Sequence, residues 1–553
     1  MQIIFEYNGA PCTAVAVQGE FSSWKISHPL AKYKEGVYRG VIDLHPGIYQ
    51  YKLLRNRQEW LLDPGNSWID RTGECINNTL VVGGSTPPLY FAPCRRCWVS
   101  RDNHLWVHAE VETDAPVPEQ LILRNENGIS VAACPVEVLY TVGNRNLLKY
   151  NGHVPFSAVT AQFSGYPGRW TLPEPTDADA PAWLKGAVFY SIFVDRWFRG
   201  FHSPADLRAS SRDQPSHAEM FYGGDLPGIT ESLQWIADLG VDALMLTPLY
   251  RSESPHRYDA VDFQCVDPRL GGEKALAKLI RACKQSGLRL VLDAAFTHCH
   301  CQHAAFQDVI RNQERSAFQD WFILKHFPVT LSDPDSYQCY PDHPELPMLN
   351  LSSPRVIEHF EQLVSHWMEL GVDGLRFDAV EYGPPDTWLR LGRYARRHNP
   401  EVALIAECIF DSTAYAVDTF GVHCATDYAR HDLLIKAVIE GNDAFERFLS
   451  TEQLLSHRLG PCREEIALQF IDSHDTNRLL TLTQDESKVH KALAHLLSRN
   501  ECVLIYYGTE LGLSSGCAVT GMDLAWPDRL PMPPLPQESE SVSRIRNLIR
   551  QRQ

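Results

Sequence analysis

In the stretch GLRFDAVEY, residues 374–382, Arg376 and Asp378 stand two positions apart in a run that otherwise reads as a buried strand. Side chains at i and i+2 of a strand share a face. The two charges therefore meet, and the arginine can hold the aspartate ionised by pairing and hydrogen bonding. Other acids and imidazoles stand at the ends of comparable apolar runs: Asp293 in RLVLDAAF with His298 shortly after, Glu407 in VALIAEC, and His474 with Asp475 in IALQFIDSHD. A single buried charge is more often half of a structural ion pair than a catalyst. Carboxylates and histidines delivered to one rim by four strands are instead the material of acid–base or nucleophilic catalysis.

The elements that must position these groups follow from the pattern around them. From about residue 183 onward, eight apolar runs (GAVFYSIFV, VDALMLTPL, RLVLDAAF, VDGLRFD, VALIAEC, GVHCATDY, IALQFIDSHD and CVLIYYG) alternate with helical periods of ten or more residues. This predicts a parallel (β/α)8 TIM barrel over 183–553, whose active site lies at the C-terminal ends of the strands. Residues 1–83 show short alternating strands bounded by Gly, Asn and Pro, and predict an antiparallel β-sandwich. The GGSTPP stretch at 83–88 reads as a linker, and 88–176 alternates again, predicting a second β-sandwich. The expected fold is thus multidomain, two β-sandwiches followed by the barrel.

The blocks DAAFTH, GLRFDAVE, IAEC and FIDSHD resemble the four sequence blocks of the alpha-amylase family, family 13 of the glycoside hydrolases. LPMLN at 346–350 resembles the family's fifth block in the form typical of the neopullulanase, cyclomaltodextrinase and maltogenic amylase branch. FQDVIRNQERSAFQDWF resembles that branch's insertion after the third strand, which places a small inserted domain at about 299–350. The likeness covers nearly all of 183–515, in the family's order and spacing.

It implies a retaining α-glucan hydrolase cleaving α-1,4 bonds of maltodextrins, cyclodextrins or pullulan through a covalent glycosyl-enzyme intermediate. Such chemistry needs a carboxylate nucleophile and a second carboxyl about 5 to 5.5 Å away that protonates the leaving oxygen. By match to the blocks, Asp378 is the nucleophile, Glu407 the acid/base and Asp475 a third carboxylate gripping ring hydroxyls. His298, His474 and Arg376 are implied to bind the same site, and Tyr258, in HRYD where the family usually has His-Gly-Tyr-Asp, to stack on the sugar. Asp293 is implied as a partner of Arg376, and Arg478 as a supporting candidate.

Toward the N-terminus, GEFSSWK, GIYQYK, EWLLDP and INNTLVV resemble the glycogen-binding module of the AMP-activated kinase β subunit and of branching and debranching enzymes. The resemblance implies an exposed sugar platform of Trp24, Trp60 and Lys52, with Asn78 as a fourth contact. The apolar face of glucose stacks on indole while lysine donates to hydroxyls. Residues 88–176 resemble the N-terminal domain of neopullulanases by placement.

Departures from the family are equally specific. Thr297 replaces the asparagine that commonly helps bind calcium, and DRWFRGFHSP after the first strand lacks the Asn- and Asp-rich calcium loop of the branch. No cofactor is expected, although calcium, whose binding these replacements put in doubt, stays open. Glu381 and Tyr382 replace the branch's Asn-Glu after the nucleophile, and Cys408 with Ile409 replaces the tryptophan that often follows the acid/base. The α-1,6-debranching and transglycosylating outcomes of the same chemistry therefore stay open. The chain ends at RIRNLIRQRQ, so the family's C-terminal β domain is expected to be missing.

Composition narrows the partners. Lys and Arg number 51 against 68 Asp and Glu, a net charge of -17 with no basic tract, which argues against nucleic acid and anionic membrane. No apolar segment nears the roughly 20 residues needed to span a bilayer, and MQIIFEYNGA lacks the basic start of a secretory signal. Fifteen scattered cysteines suit free thiols in a reducing compartment, and the expected location is cytoplasmic. Neither the Cys94 and Cys97 pair nor the HCHCQH run from His298 to His303 has the spacing of a zinc site. The resemblance also makes a homodimer an expectation. A non-catalytic glycan-binding protein is the alternative from another class, set against the presence of all three carboxylates.

Overall fold

The computed structural model describes residues 2–552 apart from short gaps and the longer stretches 9–13, 64–68, 71–76, 83–88, 91–96, 173–179, 204–208, 210–219, 409–416, 460–466 and 517–525. The expected linker at 83–88, Cys94 and Ile409 lie outside the described residues. The chain divides into two compact units, Met1–Asp179 with Leu454–Cys462, and Ala180–Gln453 with Arg463–Gln553.

Among the described residues the first unit holds two antiparallel sheets of eight strands each. In the first sheet, Gln2–Asn8 and Val37–Asp43 lie at one side and Gly47–Arg55 with Asn77–Val82 toward the other, joined through His28–Lys34 and Val15–Gly19. Strand alternation builds its core: Phe5 and Tyr7, Val15 and Val17, Tyr51 and Leu53 all point to one buried cluster. The second sheet centres on His104–Glu112, Arg145–His153 and the long strand Ser130–Val142. Leu105, Val107, Ala109 and Val111, at every second position, line its core with Leu121, Leu148 and Tyr150.

The second unit is a closed barrel of eight parallel strands. They are Val188–Ile192, Ala243–Leu246, Arg289–Ala294, Gly374–Phe377, Ala403–Ala406, Cys424–Thr426, Ala467–Phe470 and Cys502–Tyr506, in that order around the barrel. Each falls in one of the eight expected apolar runs. Such strands are buried on both faces, which is why they read as continuous rather than alternating. Helices start at side-chain caps: Asp225 accepts from the Gly228 amide at 2.8 Å ahead of Leu226–Asp238, and Asp427 from the Arg430 amide at 3.1 Å ahead of Tyr428–Glu440. Between the third and fourth strands the chain adds the helix Ala304–Asn312 and the hairpin Cys339–Tyr340 with His343–Pro347 before the helix Pro354–Leu370.

Aromatic packing fixes the third and fourth strand ends. Phe296 stacks on Phe360 with ring centroids 4.0 Å apart and planes 14° apart, and also meets Trp367 and Phe377. Trp388, fully buried, packs on Phe377 and donates its indole N–H to the Val380 carbonyl at 2.9 Å. That bond ties down the turn that follows Asp378. Truncating Phe360 removes a stacked ring that the rigid barrel cannot collapse to replace. Phe360→Ala is expected to lower the barrel's unfolding free energy by about 3 to 5 kcal/mol, read as a lower urea midpoint at unchanged slope. A loss below about 1 kcal/mol would show that this stack does not hold the strand ends.

Candidate active site

Strand Gly374–Phe377 places Arg376 inside the barrel, and its guanidinium gathers the acids of three neighbouring strands. Nη1 reaches both oxygens of Asp293, at 2.7 and 2.6 Å, and Oδ1 of Asp378 at 2.9 Å. Nη2 stands 2.9 Å from Oε1 of Glu407. All four side chains are buried. The turn after Asp378 is strained, since Ala379 sits at φ 46°, a left-handed conformation that a non-glycine residue adopts at a cost. In return its amide donates to Oε2 of Glu407 at 3.2 Å. Tyr428, just past the sixth strand, donates its hydroxyl to Oε1 of Glu407 at 2.9 Å.

One cation among three carboxyl groups does not neutralise them. Burial, and next the adjacent Glu407 carboxylate, push the Asp378 carboxyl well above the ordinary carboxylate range, although Arg376 pulls it back. Asp293 is pushed up to about 6, chiefly by burial, against the pull of Arg376 and Tyr258. The expected pairing of Arg376 with Asp378 is present, but burial and Glu407 oppose its hold on the charge. Asp378 and Glu407 both bond to that one guanidinium, and a proton held between them relieves the repulsion that Glu407 exerts on Asp378. The pair is thus built to carry one proton and one negative charge.

Around this pair the structure brings together the other expected sugar-site residues. The Tyr258 hydroxyl donates to Oδ2 of Asp293 at 2.7 Å and lies 2.7 Å from Nε2 of His474, whose ring is stacked on Tyr258 at 5.6 Å and 7°. His474 in turn lies 3.0 Å from Oδ2 of Asp475, which is about a third exposed. His298 takes a hydrogen bond with the Thr297 hydroxyl at 3.0 Å, and burial drops its pKa to about 4. Burial also holds His474 well below the ordinary histidine value. Both rings are neutral near pH 7, so each can donate from one nitrogen and accept at the other.

Several residues near the site were not singled out from the sequence. Tyr340, from the inserted hairpin, packs on His298 at 4.6 Å and on Tyr382 at 5.1 Å, forming an aromatic wall. Tyr428 follows a strand end and could have been found by the same rule that singled out Glu407. Arg257, where the family has glycine, sits at φ 62°, is buried, and pairs with Asp267 at 3.1 Å. The ion pair holds in place a backbone conformation that glycine would adopt freely. Arg478, expected as a supporting residue, points elsewhere: it donates to the carbonyls of Asp528 and Tyr507 at 3.0 and 2.8 Å.

On the first sheet, Trp60 pairs with Leu54, and the face it shares with Lys52 lies opposite the core residues Tyr51 and Leu53. Trp60 is 47% exposed, Trp24 and Lys52 are half-buried, and the two indoles lie 6.1 Å apart. These tryptophans are therefore outside the core. Asn78 is not on that exposed face. It is fully buried and holds the Asp63 backbone, accepting from its amide at 2.6 Å and donating to its carbonyl at 3.3 Å.

Among the described residues, the donors near the family's calcium loops are already engaged. Asp195, after the first strand, accepts from the Tyr222 and Gly223 amides at 2.9 and 3.2 Å and pairs with Arg196 at 3.3 Å, leaving little for a cation. Thr297 is engaged with His298. In the HCHCQH run, His300 accepts from the Gln302 amide and His303 caps the helix Ala304–Asn312. Among the described residues no three His, Cys, Asp or Glu side chains converge as metal ligands, and no helix is long and apolar enough to cross a membrane.

Comparison with known proteins agrees with this geometry. Residues 191–402 match the family model of the alpha amylase catalytic domain, and residues 1–87 match that of the glycogen recognition site of AMP-activated protein kinase. Neopullulanase 2 of Thermoactinomyces vulgaris is 32% identical over 340 residues, 60% of this chain and 58% of that protein. The intracellular maltogenic amylase of Bacillus subtilis (strain 168) is 30% identical over 371 residues, 66% of this chain and 62% of that protein. The chain thus spans less than two thirds of the length of these curated relatives. A solved cyclomaltodextrinase has the same fold, with a TM-score of 0.73 at 23% identity over 84% of each chain. The barrel thus belongs with the catalytic domains of the alpha-amylase family of glycoside hydrolases, and the first sheet with glycogen-recognition modules.

Proposed function

We propose that the chain is a retaining α-glucan hydrolase that cleaves α-1,4-glucosidic bonds of maltodextrins, cyclodextrins or pullulan, and works in the cytoplasm without a metal. The observation that carries this reading is that Asp378 and Glu407 both bond one buried arginine, Arg376, at 2.9 Å each. Two carboxyls held on one guanidinium suit the close pair of a retaining enzyme rather than the wider pair, roughly 6.5 to 9.5 Å apart, that seats a water in an inverting one. Substrate choice is supported by the named activities of the similar proteins, and location by the intracellular relative.

In the first step Asp378 attacks the anomeric carbon, and Glu407 gives its proton to the departing glycosidic oxygen. Arg376 and Tyr428 both engage Oε1 of Glu407, so the transferable proton belongs on Oε2, the oxygen that faces the Ala379 amide. With the sugar bound, Asp378 carries the charge and Glu407 the proton. Glucose stacks against Tyr258, while neutral His298 and His474 exchange hydrogen bonds with its hydroxyls. Asp475 grips the ring as positive charge develops. In the second step Glu407 takes a proton from water, which attacks the glycosyl-aspartate and frees Asp378. The aromatic wall of Tyr340 and Tyr382 bounds the cleft on the side of the inserted hairpin. Trp24, Trp60 and Lys52 hold longer glucan chains.

Asp378→Asn is expected to lower kcat on maltoheptaose by at least about 10⁴-fold while the thermal midpoint stays within a few degrees, and unchanged hydrolysis would remove the catalytic assignment. Products from β-cyclodextrin, pullulan and starch then sort the substrates. Faster opening of the cyclodextrin ring than of starch, with panose from pullulan, supports the proposed reading, and cleavage confined to α-1,6 bonds contradicts it.

The acid limb of kcat/KM follows from the raised Asp378 carboxyl. Only the ionised form attacks, so activity falls as pH drops through a midpoint above about 4, the ordinary aspartate value. The charge of Asp293 adds to that upward push, so Asp293→Asn is expected to move the acid limb to lower pH. A limb that moves upward would show that Asp293 acts through some other group. For the sheet, Trp60→Ala is expected to weaken glycogen binding about tenfold and leave maltotriose hydrolysis unchanged, measured by glycogen co-sedimentation and product release. Equal binding by both proteins would rule out the platform.

A further inference from the structure

The third carboxylate, Asp475, is exposed enough that its place must be set by what grips it. His474 offers it a neutral ring nitrogen at 3.0 Å. The other partner comes from 54 residues further along the chain: Nη2 of Arg529 donates to Oδ1 of Asp475 at 3.2 Å, while Nε of the same guanidinium donates to the His474 carbonyl at 2.6 Å. The guanidinium also lies 5.3 Å from the centre of the Phe193 ring, at the end of the first barrel strand. Two hydrogen bonds and a ring face fix the plane of this cation, and it is 8% exposed.

The segment that carries Arg529 is itself fastened on both sides. Before it, Asp528 is wholly buried and accepts from the Arg478 amide at 2.8 Å, the Thr481 hydroxyl at 2.6 Å and the Ser515 amide at 3.0 Å. After it, the Leu530 carbonyl accepts from the Tyr507 hydroxyl, and the Met532 amide donates to the Arg196 carbonyl at 2.8 Å. Arg478 closes the assembly by donating to the Asp528 backbone and spreading over the Tyr506 and Tyr507 rings. Residues 526–532 thus form a strap across the end of the barrel, pinned at 528, 530 and 532, and Arg529 reaches from between the pins into the site.

We infer that Arg529 is a positioning residue for Asp475, holding the third carboxylate in the orientation that meets the sugar at the transition state. The inference rests on the role proposed for Asp475. A carboxylate with one neutral partner can turn away from the ring, and a displacement near 1 Å costs on the order of 100-fold in rate. Lysine cannot replace the arginine, because a single ammonium does not span the His474 carbonyl and the Asp475 carboxylate together.

A double-mutant cycle on maltoheptaose hydrolysis tests this with Arg529→Met, Asp475→Asn and the pair, each checked by thermal unfolding. Arg529→Met is expected to lower kcat/KM about 100-fold, and to cost less than about threefold once Asp475 is already asparagine. Arg529→Lys is expected to recover little of the loss and to show the same coupling, and it carries the cycle if the methionine variant does not fold. A full, multiplicative loss in the Asp475→Asn background, or an Arg529→Met enzyme within about threefold of the parent, overturns the positioning role. If Asp475→Asn alone leaves hydrolysis intact, the role proposed for Asp475 fails and this inference fails with it.

Discussion

One guanidinium faces three carboxyl groups at the mouth of the barrel, and the rest of the site is organised by that imbalance. Arg376 cannot neutralise Asp293, Asp378 and Glu407 together, and burial denies them the water that would screen their repulsion. The cheapest way to hold them is to keep a proton among them. Retaining glycoside cleavage requires the same thing, a neighbouring pair of acids of which one is charged and one is protonated. The electrostatic problem of folding this cluster and the chemical requirement of the reaction therefore have the same solution. Tyr428 and the strained Ala379 amide bias the outcome by claiming particular oxygens of Glu407.

A second arginine plays a parallel part at the other side of the site. Arg376 gathers the acids of the third, fourth and fifth strands, and Arg529 reaches the His474–Asp475 pair beyond the seventh. Each is buried and fixed by more than one contact, so each presents its charge without the entropy loss of a mobile side chain at the moment of reaction. The barrel supplies the rigidity that makes this possible. Its strands are short and apolar, and the aromatic layer of Phe296, Phe360, Phe377 and Trp388 locks the strand ends that carry the charges.

Much of this was legible in the sequence, for identifiable reasons. Buried parallel strands must be continuous apolar runs, so all eight could be picked out, and a charge at the end of such a run has few explanations other than a site. The blocks containing Asp378, Glu407, Asp475 and the two histidines lie on those ends. What the sequence did not show depends on distance between elements. The upward shift at Asp378 comes first from burial and next from the nearness of Glu407, and spacing along the chain reveals neither. Arg529 sits in a Pro-rich stretch without periodicity, far from the residue it holds. Asn78 resembled a surface contact by motif, yet its side chain is needed to satisfy the Asp63 backbone inside the sheet.

The account stands on Asp378 being the carboxylate that attacks while Glu407 keeps the proton. The most direct measurement is to treat the enzyme with a 5-fluoro-α-glucosyl fluoride, whose ring fluorine slows the second step, and to locate the trapped sugar by peptide mass mapping. One sugar covalently attached to the peptide containing Asp378, and lost on replacing that residue, is the predicted result. A sugar attached to Glu407, or turnover of the reagent with no adduct at any carboxylate, would contradict it.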